Sequence, residues 1–325
     1  MWQAVLVAAL GLLAAIKLYL RLIEGRCGEA RLDGQTAVVT GSNCGLGLET
    51  ARDLAARGAR VILACRDASR GEQAADIVRA STGNSSVVYR HLDLSSLHSI
   101  RHFAQHILNS ESRLDMLVHN AGMTPSKAGL ATEDGLELQW AVNHLGPFLL
   151  TSLLLPLLLR TKNACVVFVA SVTHWWARLD TAKDLDGPRA WVQHPYWTYC
   201  STKLANVLIA GELGRRLEHR GVAVSSVSPG GVRTAIARNM AWPVRALVVP
   251  VLWPFLKSPR AGAQTTVWAA VTRARGYLVD CAPALSAPWA RDTAAAARLW
   301  DESCRLLDID PRWTDVAPSD KLECK

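Results

Sequence analysis

Apolar and polar positions fall into two regimes along this chain. From Trp2 to Ile16 only Gln3 is polar, and after Lys17 the apolar run resumes at Leu18–Leu20 before Arg21. From Thr36 onward, short apolar runs alternate with longer stretches whose apolar residues recur at helical spacing. The runs Thr36–Thr40, Val61–Cys65, Val87–Tyr89, Met116–His119, Ala164–Ala170, Val222–Val227 and Tyr277–Val279 are too short for helices and read as strands. Between them Leu46–Arg57, Ser69–Ala80, Ser96–Asn109, Tyr196–Arg220 and Gly262–Val271 read as helices, the first with Leu48, Ala51 and Ala55 on one face. Glu133–Arg160 is a long, Leu-rich helical stretch, and Pro147 and Pro156 predict that it is kinked or broken. Strands alternating with helices of this length imply a parallel sheet covered on both faces, a doubly wound α/β domain.

The first apolar run is slightly short of the roughly 20 residues of a full membrane span, and snorkelling of Lys17 extends it. Lys17, Arg21, Arg26 and Arg31 all follow it, so the positive-inside bias places the remainder in the cytosol. No small-x-small cleavage site stands out. An uncleaved anchor over 1–23 is therefore expected, with an interfacial helix and a cleaved signal peptide as the other readings. The α/β domain is assigned to 33–310 and a polar tail to 311–325.

Composition narrows this further. With 325 residues, 50% hydrophobic and 20% charged, the chain is neither a polytopic membrane protein nor disordered. A net charge of +8 suits nucleic acid, an acidic membrane surface, an anionic cofactor or a merely solvated basic face. No basic run is interleaved with aromatics and no zinc-finger or RNA-binding signature occurs, which argues against nucleic acid. The eight cysteines are scattered, without CxxC pairs or metal spacing, and read as reduced thiols; their even number leaves disulfides formally open. No metal site is expected. Of 21 aromatic residues 12 are Trp, a bias that composition alone does not explain.

The chemistry begins at Thr40, where the first strand runs into Gly41-Ser42-Asn43-Cys44-Gly45-Leu46-Gly47 and then a helix. Gly41 permits the tight turn, Gly45 lets backbone N–H groups approach a pyrophosphate, and Gly47 lets helix and sheet pack closely. Further on stand Asn120-Ala121-Gly122 after the fourth strand, Ser171 ending the fifth, Tyr199-Cys-Ser-Thr-Lys203 on a helix, and Pro229-Gly230 after the sixth strand with Thr234 beyond. In this order the TGxxxGxG turn, the NAG turn, the serine and the YxxxK pair resemble the short-chain dehydrogenase/reductase family over roughly residues 33–305. Arg57–Asp67, Val142–Gly146, Lys203–Val207, Gly262–Thr265 and the N-terminal anchor resemble its microsomal retinol dehydrogenase branch. Two departures are His119, where the family has the first Asn of NNAG, and Pro147, where many relatives carry His.

Tyr199 and Lys203, four apart on a helix, share a face, and a neighbouring ammonium favours phenolate over phenol. The resemblance implies a Rossmann-type domain in which Tyr199 is the general acid/base, Lys203 also binds the cofactor ribose, Ser171 polarises the substrate oxygen and Asn143 holds a proton-relay water. It further implies that Asp93 and Leu94 meet the adenine, and that Asn120, Ala121, Gly122, Pro229, Gly230 and Thr234 line the cofactor. The second strand ends in Cys65-Arg66. Arg66 suits a 2′-phosphate and Asp67 suits a helix cap, so NADP(H) is the expected cofactor. Each residue alone also has an ordinary structural reading, such as a cap, a surface pair or a strand-end Arg.

The Trp-rich segments Ser171–Tyr199 and Met240–Leu256 flank the expected site; Trp175 and Trp197 are candidate substrate contacts. The segments could form a lipophilic pocket, a membrane-docking face or ordinary core. The expected activity is hydride transfer between NADP(H) and a lipophilic alcohol or aldehyde, retinol/retinal-like, at an endoplasmic reticulum or related membrane with the domain facing the cytosol. The alternatives are a steroid or fatty-aldehyde reductase, or a cofactor-binding scaffold with little turnover; a homodimer is compatible with the sequence.

Overall fold

Seven of the apolar runs have no polar face, so each needs cover on both sides. In the structure, a computed structural model that describes residues 27–125, 127–180, 184–185, 191–232 and 256–315 and positions 2, 11, 12, 14–16, 18 and 19, they receive it. The strands are β1 (Thr36–Thr40), β2 (Arg60–Cys65), β3 (Val87–His91), β4 (Met116–His119), β5 (Cys165–Val169), β6 (Ala223–Ser228), β7 (Gly276–Val279) and β8 (Ala282–Pro283). They form one sheet in the order β3-β2-β1-β4-β5-β6-β7-β8, parallel except for β8, which turns back on β7. This is the Rossmann-type, doubly wound sheet expected from the pattern.

Alternate side chains of each strand feed two cores. Val38, Ile62, Leu117, Val166 and Phe168 face one, and Ala37, Val39, Leu63, Val118 and Val167 the other. Helices α1 (Gly45–Ala56), α2 (Ala68–Thr82) and α6 (Pro259–Thr272) cover the second; α3 (Leu97–Ser110), α4 (Gly146–Arg160), α5 (Pro195–Arg216) and α7 (Thr293–Leu307) cover the first. Caps set the boundaries: Asp67, Ser96, Ser258 and Asp292 each accept an N–H from the first turn of the helix they precede.

The long stretch through Pro147 departs from a regular helix where the sequence predicts. One turn at Leu138–Trp140 runs into a π-helical segment, Ala141–Leu145, and only then into α4. Proline has no N–H to give to the carbonyl of Asn143, so the 3.6-residue ladder cannot pass through position 147. The wider turn carries it past, with Gly146 N–H bonding Ala141 instead. Pro156 is accommodated inside α4. Leu138–Arg160 is long and apolar enough to cross a bilayer but is buried in the domain.

Two features went unforeseen. Helix α7 buries Ala295, Ala296, Leu299, Trp300, Ser303, Cys304 and Leu307, a helical stripe carried partly by small residues that a search for apolar periodicity weights little. The polar tail expected from 311 starts too early: Trp313 is buried, stacked on Trp300 at 4.8 Å and edge-on to Phe148 at 5.5 Å. Its near neighbours in sequence are charged, so nothing local signals burial. Residues 316–325, Thr234, Trp242 and Trp253 lie outside the described residues. In the N-terminal stretch the described positions are helical, and Trp2, Leu12, Leu18 and Tyr19 are exposed. Asn84 is structural: its amide donates to the carbonyls of Ala55 (2.8 Å) and Ala59 (2.9 Å).

Candidate active site

The turns leaving β1 and β4 meet where the strand order reverses, the place at which sheets of this kind hold ligands. Thr40, the last residue of β1, joins them. Its hydroxyl accepts the backbone N–H of Asn120 at 3.1 Å and of Ala121 at 3.0 Å, while the Asn120 amide donates to the carbonyls of Thr40 (3.0 Å) and Gly41 (3.2 Å). Asn120 is thus a brace between the two turns, and the Ser42 hydroxyl, bonded to the Val39 carbonyl at 2.8 Å, holds the first turn on itself. Gly47 is needed for close approach: a Cβ there would lie 2.9 Å from Ser42 Cα and inside contact distance of Asn120 Nδ2 and the Gly41 carbonyl. Gly45, at φ +59°, faces open space, with no atom within 4 Å of where its Cβ would be. Cys44 precedes α1 without a side-chain cap, so first-turn N–H groups there have no side-chain acceptor. Open space at Gly45 beside these donors fits a pyrophosphate.

Arg66 follows β2 with a largely exposed side chain, its Nε 3.9 Å from Asp93 Oδ2. Asp67 caps α2 by accepting the Arg70 N–H at 3.0 Å and does not compete for the same space. Asp93 holds its own turn, accepting the Ser95 N–H (2.9 Å) and hydroxyl (2.6 Å). Leu94 is buried beneath the start of α4, where a Cβ on Gly146 would come within 2.8 Å of the Leu94 carbonyl. On the other side Pro229 and Gly230 follow β6. There Val232 pairs with Lys257, and the Lys257 ammonium bonds the Asp280 carboxylate, so both ends of the 233–256 stretch are held together.

Tyr199, Lys203, Ser171 and Asn143 converge from three elements. Helix α5 places Tyr199 and Lys203 one turn apart, with Lys203 Nζ 5.5 Å from the Tyr199 ring centre. The Tyr199 hydroxyl lies beside the Ser171 side chain. Lys203 is buried and donates to the Val169 carbonyl at 2.8 Å, at the end of β5. Gly122 lies over the ammonium: a Cβ there would be 3.2 Å from Lys203 Nζ and 3.6 Å from Asn143 Oδ1. Asn143 sits in the π-helical segment, and both ends of its amide are bonded. Oδ1 accepts the Met123 N–H at 2.8 Å, and Nδ2 donates to the Met123 carbonyl at 2.9 Å and to Thr202 Oγ1 at 3.1 Å.

The electrostatics differ from the expectation in one respect. The helical spacing predicts that Lys203 pulls the Tyr199 phenol down. Among the protein groups alone, burial dominates and pushes Tyr199 well up, opposed by the neighbouring Ser171 side chain. Burial also lowers Lys203, to about 8, because a charged ammonium loses its hydration there. Near neutrality the pair is therefore phenol and ammonium.

Three histidines near the site, His119, His144 and His194, are structural. His119 Nε2 donates to Thr151 Oγ1 at 2.7 Å, since that hydroxyl gives its own proton to the Pro147 carbonyl, and burial holds His119 at about 3. His144 bonds Ser303 at 2.9 Å, and burial likewise lowers it to about 3. His194 caps α5. The seven cysteines among the described residues are free thiols.

Beside the site, a 3-10 turn, Val172–Trp176, follows Ser171. Trp175 and Trp197 are 39% and 47% exposed and Trp176 57%, so this rim of Trp residues is neither closed core nor fully wet. Trp175 meets Trp289 edge-on at 6.1 Å, and Tyr196 bridges Trp176 and Trp197. Residues that sequence reasoning missed are Thr40, Thr202, Gly122 as the cover of Lys203, and the Trp289 partner of the rim. Thr202 had a signal, its place inside the YxxxK run; Trp289 had none.

Known proteins match this arrangement. The short chain dehydrogenase family model matches residues 35–177. The chain is 44% identical to human dehydrogenase/reductase SDR family member 13 over 318 residues, 95% of this chain and 83% of that one. It is 43% identical to human retinol dehydrogenase 12, covering 87% and 89%. Among solved structures, an uncharacterised protein from Mycobacterium paratuberculosis is similar at a TM-score of 0.70 and 34% identity, over 86% of this chain and 96% of that one. A short chain dehydrogenase from Escherichia coli complexed with NADPH is similar at 0.61 and 26%, over 78% and 99%.

Proposed function

This chain belongs to the short-chain dehydrogenase/reductase family of oxidoreductases, and we propose that it transfers a hydride between NADP(H) and a lipophilic alcohol or aldehyde of the retinol/retinal kind. The observation that carries the reading is the convergence of Tyr199, Ser171 and Lys203 beside the open Gly45 turn. When bound there, the nicotinamide nucleotide supplies the hydride. The α1 N-terminus and the Gly-rich turn hold its pyrophosphate, and Lys203, with one donor on Val169, has others for the ribose hydroxyls. The exposed guanidinium of Arg66 can turn from Asp93 to a 2′-phosphate; the NADPH-bound E. coli relative supports that choice.

Tyr199 gives its proton to the substrate oxygen as that oxygen gains negative charge, and takes one back in the oxidising direction. Burial keeps the phenol protonated, the state that reduction requires. The Ser171 hydroxyl, beside Tyr199, stabilises the same oxygen. The relay water is assigned to Asn143, whose Oδ1 accepts one N–H, from Met123, and keeps a second lone pair. The retinol dehydrogenase relatives and the Trp-lined mouth support a lipophilic substrate. The apolar N-terminal stretch supports anchoring in an endoplasmic reticulum membrane with the domain in the cytosol.

The test is a substrate panel. Membranes expressing the chain, with Tyr199→Phe as the blank, are assayed with NADPH and NADH against retinal, a fatty aldehyde and a ketosteroid. The expected result is retinal reduction that prefers NADPH and is lost in the blank. Ketosteroid turnover without retinal turnover would replace the substrate, and no Tyr199-dependent turnover of any compound would leave a cofactor-binding scaffold.

A further inference from the structure

His174 is buried completely and belongs to none of the groups assigned a chemical part above. Its two ring nitrogens nonetheless face backbone groups of opposite kind. Nδ1 lies 2.7 Å from the carbonyl oxygen of Ser171, and Nε2 lies 3.1 Å from the backbone nitrogen of Ala287. A carbonyl only accepts and a backbone N–H only donates, so the proton sits on Nδ1 and the lone pair on Nε2. Burial lowers the pKa of the ring, which keeps this neutral form. The His174 main chain repeats the connection: its N–H donates to the Ser171 carbonyl at 3.2 Å, and its carbonyl accepts the Trp289 indole N–H at 3.2 Å. The Tyr277 ring packs on the imidazole at 5.0 Å.

These contacts bridge two stretches far apart in sequence. On one side is Ser171, whose side chain lies beside the Tyr199 hydroxyl and accepts the Thr173 N–H at 3.2 Å. On the other is the Ala287–Trp289 segment, whose indole meets Trp175. Ser171 stands between the last ladder bond of the strand, from Ala170 N–H to the Val227 carbonyl at 2.8 Å, and the 3-10 turn that begins at Val172, and the backbone bond on its carbonyl is the 3.2 Å one from the His174 N–H. The imidazole adds a second, shorter bond to that same carbonyl and ties it to a distant segment.

We propose that His174 is a positioning residue that fixes Ser171 for the substrate oxygen by clamping its carbonyl to the Ala287–Trp289 wall. This rests on the reading of Ser171 given above. A serine free to rotate or shift by an ångström would still bind near the substrate, but it would not meet the oxygen as charge develops; a misplacement of that size costs on the order of 100-fold in rate.

The test uses the full membrane-bound chain and two substitutions of similar size. In His174→Asn the amide nitrogen stands near the Nδ1 position and still serves the Ser171 carbonyl; in His174→Gln the amide reaches the Nε2 position, serves Ala287 and abandons Ser171. The Gln variant is expected to lose about 30-fold in kcat for aldehyde reduction with KM for NADPH unchanged, and the Asn variant to recover to within about threefold of the parent. In a Ser171→Ala background the Gln substitution is expected to cost nothing further, because the group it positions is gone. Equal losses in Asn and Gln, or a Gln loss that persists undiminished when combined with Ser171→Ala, would overturn the proposal. If Ser171→Ala alone leaves kcat intact, it is the reading of Ser171 that fails. Should the Gln chain not fold, His174→Phe, which keeps an aromatic ring but makes neither bond, takes its place in the same cycle.

Discussion

At the scale of single residues, the site depends on what burial does to two ionisable groups. Tyr199 is held as phenol and Lys203 is lowered to about 8. The sign for Lys203 follows from its charge. Below about pH 8 it carries the proton and offers an ammonium to the ribose in the proposed function; above that it becomes a neutral amine. The parameter kcat/KM for NADPH reports groups of the free enzyme. That parameter is expected to be flat below pH 7 and to fall as pH rises through about 8, whereas Lys203→Met is expected to be low and flat over the same range. A steady-state pH profile of both chains checks this. An unchanged break in the Met variant would assign it to another group. The YxxxK spacing was legible as a shared helical face; the direction of the tyrosine shift was not, because spacing carries no information about desolvation.

At the scale of elements, the Gly-rich turn separates two jobs that sequence inspection merges. Gly47 faces Asn120 and the Gly41 carbonyl, so Gly47→Ala pushes α1 off the sheet. Gly45 faces open space at φ +59°, so Gly45→Ala meets no neighbour and incurs only left-handed strain, roughly 1–2 kcal/mol. Gly45→Ala is therefore expected to keep most of its thermal stability while weakening NADPH binding, and Gly47→Ala to lose stability first. Thermal melts with and without NADPH distinguish the two, and equal destabilisation by both would contradict the assignment. The same contrast applies to the proline-bearing stretch. Pro147 predicted a break in the helix, but only the packed structure shows a π-helical segment whose Asn143 amide is locked on Met123 and Thr202.

At the scale of the whole molecule, the C-terminal stretch completes the core beneath α4. Trp313 closes a cluster with Trp300 and Phe148, and the Trp300 indole donates to the Pro311 carbonyl at 2.9 Å. Trp313→Ala is expected to destabilise the solubilised chain by about 3–5 kcal/mol, the usual range for removing a core Trp, measured by chemical denaturation. A loss below about 1 kcal/mol would place Trp313 outside the core, against its near-complete burial. Seven of the 12 Trp residues thereby divide by environment. Trp140, Trp300 and Trp313 are core, Trp175, Trp176 and Trp197 are a partly exposed rim, and Trp289 joins the rim to His174. By itself the sequence determined the alternation of strands and helices, the Gly-rich turn, the order of the chemical residues and the apolar N-terminal run, because each is local in the chain. Tertiary structure alone decided which groups are desolvated, which amides are already bonded and which aromatics are wet. Those depend on neighbours remote in the chain, as when Ala287 meets His174 across 113 residues.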